Sequence, residues 1–274
     1  MKSFDKRNNA TVKETCFELY RSEKIIPFIG AGFSTRFGMP TWDDLIKIIA
    51  SQLKWDPDIF KINGNYLQLA GYYVAVTGSI GPLRSLLDRK FNPSDDALKA
   101  SRAHMALTKF RTPVIYTTNF DDLIERSFEL NNTKHQRVSN IGDMLHNNKD
   151  HTEIVKFHGT FDDDKSIVFT EENYFERLEF ESALDIKLRC DSLYKTLLFI
   201  GYGFDDLNIR YMLYKLKKLR KQFDEPSNVP IAIMTTFSSK EVQQVLNSKW
   251  NVLTYPLDPL DKDASIDKFM ESFL

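Results

Sequence analysis

Four short apolar runs in this chain each end in a glycine-rich or polar elbow, and that repetition restricts the fold more than any other feature. Residues 24–29 lead into Gly30-Ala31-Gly32-Phe33-Ser34, and residues 113–116 into Thr117-Thr118-Asn119-Phe120-Asp121. Residues 154–157 lead into His158-Gly159-Thr160, and residues 196–200 into Gly201-Tyr202-Gly203-Phe204-Asp205. Short apolar runs closed by glycine read as buried strands. In an open parallel sheet the carboxyl ends of the strands lie along one edge, where nucleotides bind, so four such elbows describe one site.

The rest of the chain alternates accordingly. Residues 12–22 read as a leading helix. Thr41 and Asp44 form the start signal of another, whose apolar face is Leu45, Ile46, Ile48, Ile49 and Leu53. Between residues 56 and 110 there is no strand signal, only helical stretches over 66–76, 81–91 and 97–110, so this segment is expected to be a helical insertion or small helical subdomain within one catalytic domain spanning residues 1–274. Further strands are expected at 167–169, 229–234 and 251–255, and helices at 122–129, 174–189, 205–220 and 240–247. Residues 223–228 read as a polar connector. Strands alternating with helices give an α/β fold with a doubly wound, Rossmann-like, mostly parallel sheet.

Composition removes several function classes. Lys plus Arg number 37 against 38 for Asp plus Glu, so no basic field favours direct nucleic-acid binding. The basic run over residues 215–221 is interleaved with leucines at helical spacing and reads as a solvated helix face. Two cysteines, Cys16 and Cys190, provide neither a disulfide framework nor a four-cysteine zinc site. Lys2, Lys6 and Arg7 are not followed by an apolar stretch of signal-peptide length, and no run reaches membrane-spanning length. A cytoplasmic protein without membrane contact is expected.

The first elbow, with Gly30 and Gly32, leaves backbone amides free to approach a pyrophosphate at a helix start. A third glycine at position 35 would complete the dinucleotide fingerprint, but Thr35 stands there, which sets the chain apart from ordinary dehydrogenases. Ser34 either holds a phosphate or caps. Asn119 at a strand end suits holding a ribose or orienting a water beside a developing cation. Asp121 either holds a carboxamide or caps the helix that follows. His158 differs from His104, His135, His146 and His151, which sit in polar or helical contexts and read as surface or packing residues. It directly ends an apolar strand, where it can act as general base.

Gly30-Ala31-Gly32-Phe33-Ser34, then Thr118-Asn119-Phe120-Asp121, then His158-Gly159, in that order, resemble the sirtuin superfamily of NAD-consuming enzymes. The resemblance implies that Gly30, Ala31, Gly32 and Ser34 cradle the pyrophosphate, with Gly201 and Gly203 adding to the cofactor site. It further implies that Asn119 and Asp121 contact the nicotinamide ribose and carboxamide, and that His158 is the base on the ribose. Asn119 and His158 are thus the candidate catalytic residues, with no metal among the candidate ligands.

The departures are informative. Deacylases of the superfamily carry two cysteine pairs on a structural zinc, which two distant cysteines cannot reproduce. Met39-Pro40-Thr41-Trp42 stands where they have an acidic-Phe-Arg run, and with Gly201-Tyr202-Gly203-Phe204-Asp205-Asp206 is similar to the prokaryotic sirtuin-like branch associated with antiphage defence. That branch implies an NAD glycohydrolase that releases nicotinamide and ADP-ribose. It also implies a homo-oligomer, with a HerA/FtsK-type translocase ATPase as a further partner. The alternatives are an NAD-dependent protein deacylase and a non-catalytic nucleotide-binding sensor or scaffold subunit.

Overall fold

The computed structural model describes residues 9–146, 148–178, 181–203, 207–221 and 229–274. The expected Lys2, Lys6 and Arg7 cluster, the elbow residues Phe204, Asp205 and Asp206, and the connector at 223–228 lie outside the described residues. In the amino-terminal half, α1 (Asn9–Arg21) and β1 (Ile25–Ile29) precede six helices: α2 (Trp42–Gln52), α3 (Pro57–Ile62), α4 (Tyr66–Thr77), α5 (Gly81–Lys90), α6 (Asp95–Ala100) and α7 (Arg102–Leu107). Then come β2 (Val114–Thr117), α8 (Leu123–Leu130), β3 (His135–Val138), α9 (Ile141–Leu145), β4 (Thr152–Lys156), α10 (Glu171–Leu178) and α11 (Ala183–Ser192). The chain closes with β5 (Thr196–Ile200), α12 (Leu207–Lys221), β6 (Ala232–Thr236), α13 (Lys240–Trp250), β7 (Val252–Pro256) and α14 (Lys262–Glu271).

The seven strands form one sheet in the order β3-β4-β2-β1-β5-β6-β7, parallel at every junction. This is the doubly wound, Rossmann-like α/β architecture. Strands β1, β2 and β5 are buried along their whole length because helices cover both faces, which is why they read as unbroken apolar runs. One face packs Ile29, Ile115 and Ile154 against α1, α7 and α14. The other packs Phe28, Tyr116 and Phe199 against α11 and α12. A third cluster joins α2, α4 and α5 with Ile167 and Phe169 and sits beyond the carboxyl edge of the strands.

Thr41 caps α2 as expected: its hydroxyl accepts from Asp44 N–H, and the Asp44 carboxylate accepts from Thr41 N–H. Within the basic run, Lys215 and Lys218 are exposed while Leu216 is buried. Arg220 instead donates to the carbonyls of Ser192 and Lys195. No helix among the described residues is long and apolar enough to cross a membrane.

Several expectations give way. Residues 167–169 are not a strand. Val168 N–H donates to His158 O at 2.9 Å and Phe169 N–H to the Asn173 side chain at 3.3 Å, so this run is a buried tether between the third elbow and the helical cluster. The helix expected at 97–110 is broken at Ser101, whose backbone is extended. The helix expected at 174–189 is two helices, the second capped by Ser182. Strand β3 went unread because His135-Gln136-Arg137-Val138 is polar, as suits an edge strand with β4 as its neighbour.

Beneath the first elbow lies a buried polar knot. Arg36 donates to Asp267 Oδ1 of α14 at 2.7 Å and to Ser101 Oγ at 3.2 Å, and the same Asp267 oxygen accepts from Ala103 N–H at 2.9 Å. Ser101 Oγ bonds His104 Nδ1 at 2.8 Å, and the fully buried His104 ring packs on Phe33 and Phe37. Burial, aided by the Arg36 cation, pushes the His104 pKa down to about 3 from an ordinary value of 6.5. His104 therefore stays neutral in the folded chain where the unfolded chain takes up a proton, and stability falls as pH drops from 6.5 toward 3. Denaturant melts across that window should show a wild-type slope steeper than that of His104→Asn by up to about 1.4 kcal/mol per pH unit. Coincident slopes would contradict this assignment.

Candidate functional site

Strands β2 and β4 are neighbours, with Thr117 opposite Lys156, and the last ladder bond runs from Phe157 N–H to Thr117 O at 2.7 Å. Asn119 and His158 each lie two residues past that paired level, so they leave adjacent strands at the same height on the carboxyl edge. Between β2 and β5 runs β1, whose end supplies the first elbow.

Asn119 is buried, at 6% exposure. Its N–H donates to Thr117 Oγ1 at 3.0 Å, and its Nδ2 donates to Gly30 O at 3.3 Å and Ser34 Oγ at 3.1 Å. The side-chain amide is thereby fixed in orientation, and Oδ1 is left without a protein partner among the described residues. A buried carbonyl oxygen in that condition is costly unless a ligand hydroxyl or water donates to it. Ser34 is fully buried and makes no cap with its side chain; its hydroxyl accepts from Asn119 Nδ2.

The glycines let two elbows approach each other closely. A Cβ on Gly30 would meet the Tyr202 ring at 2.4 Å and Gly201 O at 2.7 Å, and one on Gly32 would meet Gly201 O at 2.8 Å. Gly201, at φ +65°, faces Phe33 N in the same way at 2.3 Å. Gly30 N–H donates to Ile200 O and Gly32 N–H to Gly201 O, so these two amides join the first and fourth elbows. Ala31 is exposed, and its N–H has no acceptor among the described residues. Gly203 is exposed beside the undescribed residues 204–206.

Asp121 Oδ1 accepts from Leu123 N–H at 3.2 Å, an Asx turn just before the Asp122 N-cap of α8, whose own side chain makes no capping bond. Burial raises its carboxyl above the usual carboxylate range, an effect partly offset by the Lys156 ammonium. Asp121 also lines a cavity of about 60 Å³, closed by Met39, Leu87, Phe91, Phe120 and Phe161. The helical cluster thus roofs this end of the crevice.

His158 is buried at 3% exposure, its ring 5.7 Å from Phe157 and 5.4 Å from Tyr174 of α10. Gly159 follows at φ +89°, and its N–H turns back to Lys156 O at 3.0 Å. His104 is a core residue, while His135, His146 and His151 make local contacts away from this edge. Cys16 is buried in the core with its thiol pushed up to about 12 by burial, and Cys190 is exposed on α11.

Sequence reasoning passed over two charged residues here. Lys156 is fully buried at the end of β4, and its Nζ donates to Asp121 O and lies 3.3 Å from Oε1 of the buried Glu125 on α8. The available signals were a lysine inside the otherwise apolar run 154–157 and a glutamate on the apolar side of an amphipathic helix.

Loops gathered at the carboxyl edge of an all-parallel sheet define the class as a doubly wound, Rossmann-like α/β protein, an architecture in which ligands bind at that edge. More narrowly, the chain belongs to the SIR2-like domain family, whose model matches residues 113–255. It is 31% identical over 203 residues to "NAD(+) hydrolase ThsA" of Enterococcus faecium, covering 73% of this chain and 41% of that protein. A protein of the same name from Cytobacillus dafuensis is 27% identical over 212 residues, covering 77% and 41%. "Defense-associated sirtuin 2" of Bacillus subtilis is 26% identical over 220 residues, covering 76% and 21%. The chain thus spans about two fifths or less of the length of these relatives.

Proposed function

We propose that the chain is a single catalytic domain that hydrolyses the N-glycosidic bond of NAD, depleting it in the cytoplasm as an antiphage defence. The observation that carries the reading is Asn119, buried, clamped through Nδ2 and presenting an Oδ1 without a partner among the described residues at the edge shared with His158. The names borne by the relatives agree with it. The nicotinamide of NAD is already a cationic leaving group, so little general acid is needed. What is needed is stabilisation of an oxocarbenium-like ribose and a placed water. Asn119 Oδ1 accepts from the ribose hydroxyl or the attacking water, and His158 takes the proton released as water bonds to the anomeric carbon. The bonding pair of the broken C–N bond returns to the pyridine nitrogen, giving neutral nicotinamide and ADP-ribose. The Ala31 N–H would donate to the pyrophosphate, with Gly201 and Gly203 of the adjoining fourth elbow beside it. No step requires a metal.

The test is release of nicotinamide and ADP-ribose from NAD by the purified chain, with chelator and with acyl-lysine peptide as additional arms. Release in equal amounts that chelator does not slow and peptide does not divert supports hydrolysis. Turnover that requires the peptide would make the protein a deacylase.

A homo-oligomer belongs to the same proposal, as does an assembly with a HerA/FtsK-type translocase ATPase. Ile59, Ile62, Tyr66 and Tyr72 of α3 and α4 are exposed by 58%, 83%, 43% and 45%, an apolar surface that association would cover. Light scattering at micromolar concentration should report a mass well above 31.9 kDa. A strictly monomeric, fully active enzyme would remove this part of the proposal.

A further inference from the structure

Beyond Thr117 and Lys156 the β2–β4 ladder stops, and the polypeptide that carries Asn119 leaves the sheet. The carbonyl of Asp121, in the middle of that elbow, is met by the ammonium of Lys156, reaching up from β4. The ammonium is wholly buried, and its second partner is Glu125 Oε1 at 3.3 Å, on the first turn of the helix that the elbow opens. Side chains alternate along a strand, so Lys156 shares a face of β4 with Ile154 while Val155 points into the opposite core, and His158 follows two residues past the end of the strand. One cation therefore ties the Asn119 elbow and the first turn of α8 to the strand that delivers His158. Phe161 N–H to Phe120 O, at 3.3 Å, is a second and longer link between the same two elbows.

For stability alone this is a poor arrangement. A buried ion pair loses the hydration of both charges, and apolar residues of similar volume commonly serve as well or better. The neighbouring positions of β4 show that the site accepts them: Ile154, Val155 and Phe157 are all buried hydrophobics. What an apolar side chain cannot supply is a directional bond to a loop carbonyl that has lost its ladder partner.

We propose that Lys156, paired with Glu125, is a positioning residue for N-glycosidic cleavage, holding the Asn119 elbow in register with His158 through the Asp121 carbonyl. The catalytic part rests on the NAD-hydrolase reading; the tether itself does not. A register error of an ångström between two groups acting on one ribose is enough to lower turnover by about a hundredfold while substrate still binds.

The informative variant is the double replacement Lys156→Met with Glu125→Leu, which removes both charges at similar volume and avoids the unpaired carboxylate that makes Lys156→Met alone prone to unfold. The expected result is a cooperative melt close to wild type, KM for NAD within about threefold, and kcat lower by about tenfold or more. Amide hydrogen exchange should rise across residues 119–123. Glu125→Gln keeps an acceptor beside the ammonium and leaves the bond to Asp121 O in place, and should hold kcat within about threefold of wild type. A folded double variant with wild-type kcat overturns the positioning role. Unchanged exchange at residues 119–123 overturns the tether whether or not the protein hydrolyses NAD. A wild type that releases no nicotinamide while the double variant still loses protection overturns the function reading and leaves the tether standing.

Discussion

Asn119→Ala and His158→Ala should each lower nicotinamide release from NAD by about a hundredfold or more while the chain remains folded. For Asn119 the loss is of a carbonyl oxygen already oriented before substrate arrives, because Nδ2 is held by Gly30 O and Ser34 Oγ. Such preorganisation is what makes a hydrogen bond count in the transition state and not in binding alone. Truncation also leaves those two acceptors without their donor, so Asn119→Ala should lose about 1–3 kcal/mol of stability. Rates must therefore be compared at a temperature where circular dichroism shows both proteins folded. His158 belongs to the third elbow, two residues past β4, so His158→Ala should lower kcat with a smaller change in the affinity of the pyrophosphate end. Undiminished release by both folded variants would remove these residues from the reaction.

Gly159→Ala should be among the most damaging single substitutions in the chain, with a loss of about 3 kcal/mol or more. Two penalties combine. The residue sits at φ +89°, where a side chain is strained, and an added Cβ would lie 2.2 Å from Ser166 O and 2.4 Å from its carbonyl carbon. Neither backbone atom can swing away as a side-chain tip would, since Ser166 Oγ and Val168 N–H fasten that segment to Thr160 and His158. Gly78 supplies the control: at φ +80° it carries the same backbone strain but has nothing within 4 Å of its Cβ position. Gly78→Ala should cost about 1 kcal/mol. The melting-temperature difference between the two variants isolates the steric part. Equal melting temperatures would mean that the Ser166 segment yields freely.

The elements that were legible in the sequence are those whose environment is uniform. Strands β1, β2, β4 and β5 are flanked on both faces, so an apolar run suffices to mark them, and the polar break after each run marks the carboxyl edge. The same logic placed Asn119 and His158 on one crevice edge; that their strands are neighbours was visible only in the sheet. It failed where environment and composition part. Strand β3 lies at the sheet edge and is polar, whereas residues 167–169 are apolar and buried yet bond to an elbow and an asparagine side chain. For Ser34, Gly30 and Gly32 the sequence suggests contacts to a ligand but not their contacts within the protein. Their partners, Asn119 and the Gly201 elbow, come from distant parts of the chain, and no local pattern encodes such a meeting. Lys156 was hidden for a related reason: one charge inside an apolar run acquires meaning only when Glu125 and the Asp121 carbonyl are seen around it.

The order of the strands also sets a timetable for making this protein. The central strand β1 pairs on one side with β2, Phe28 opposite Tyr116, and on the other with β5, Ile25 opposite Thr196. Its second neighbour is therefore synthesised about 170 residues later, which at ribosomal speed is roughly 10–30 s. Strands β2 and β4 come off the ribosome much closer together and can meet first. Until β5 emerges, the wholly apolar residues of β1 wait with one edge open, the condition in which nascent chains aggregate or engage chaperones. Slow, late closure of the sheet's centre is thus built into the topology that brings the four elbows to one edge.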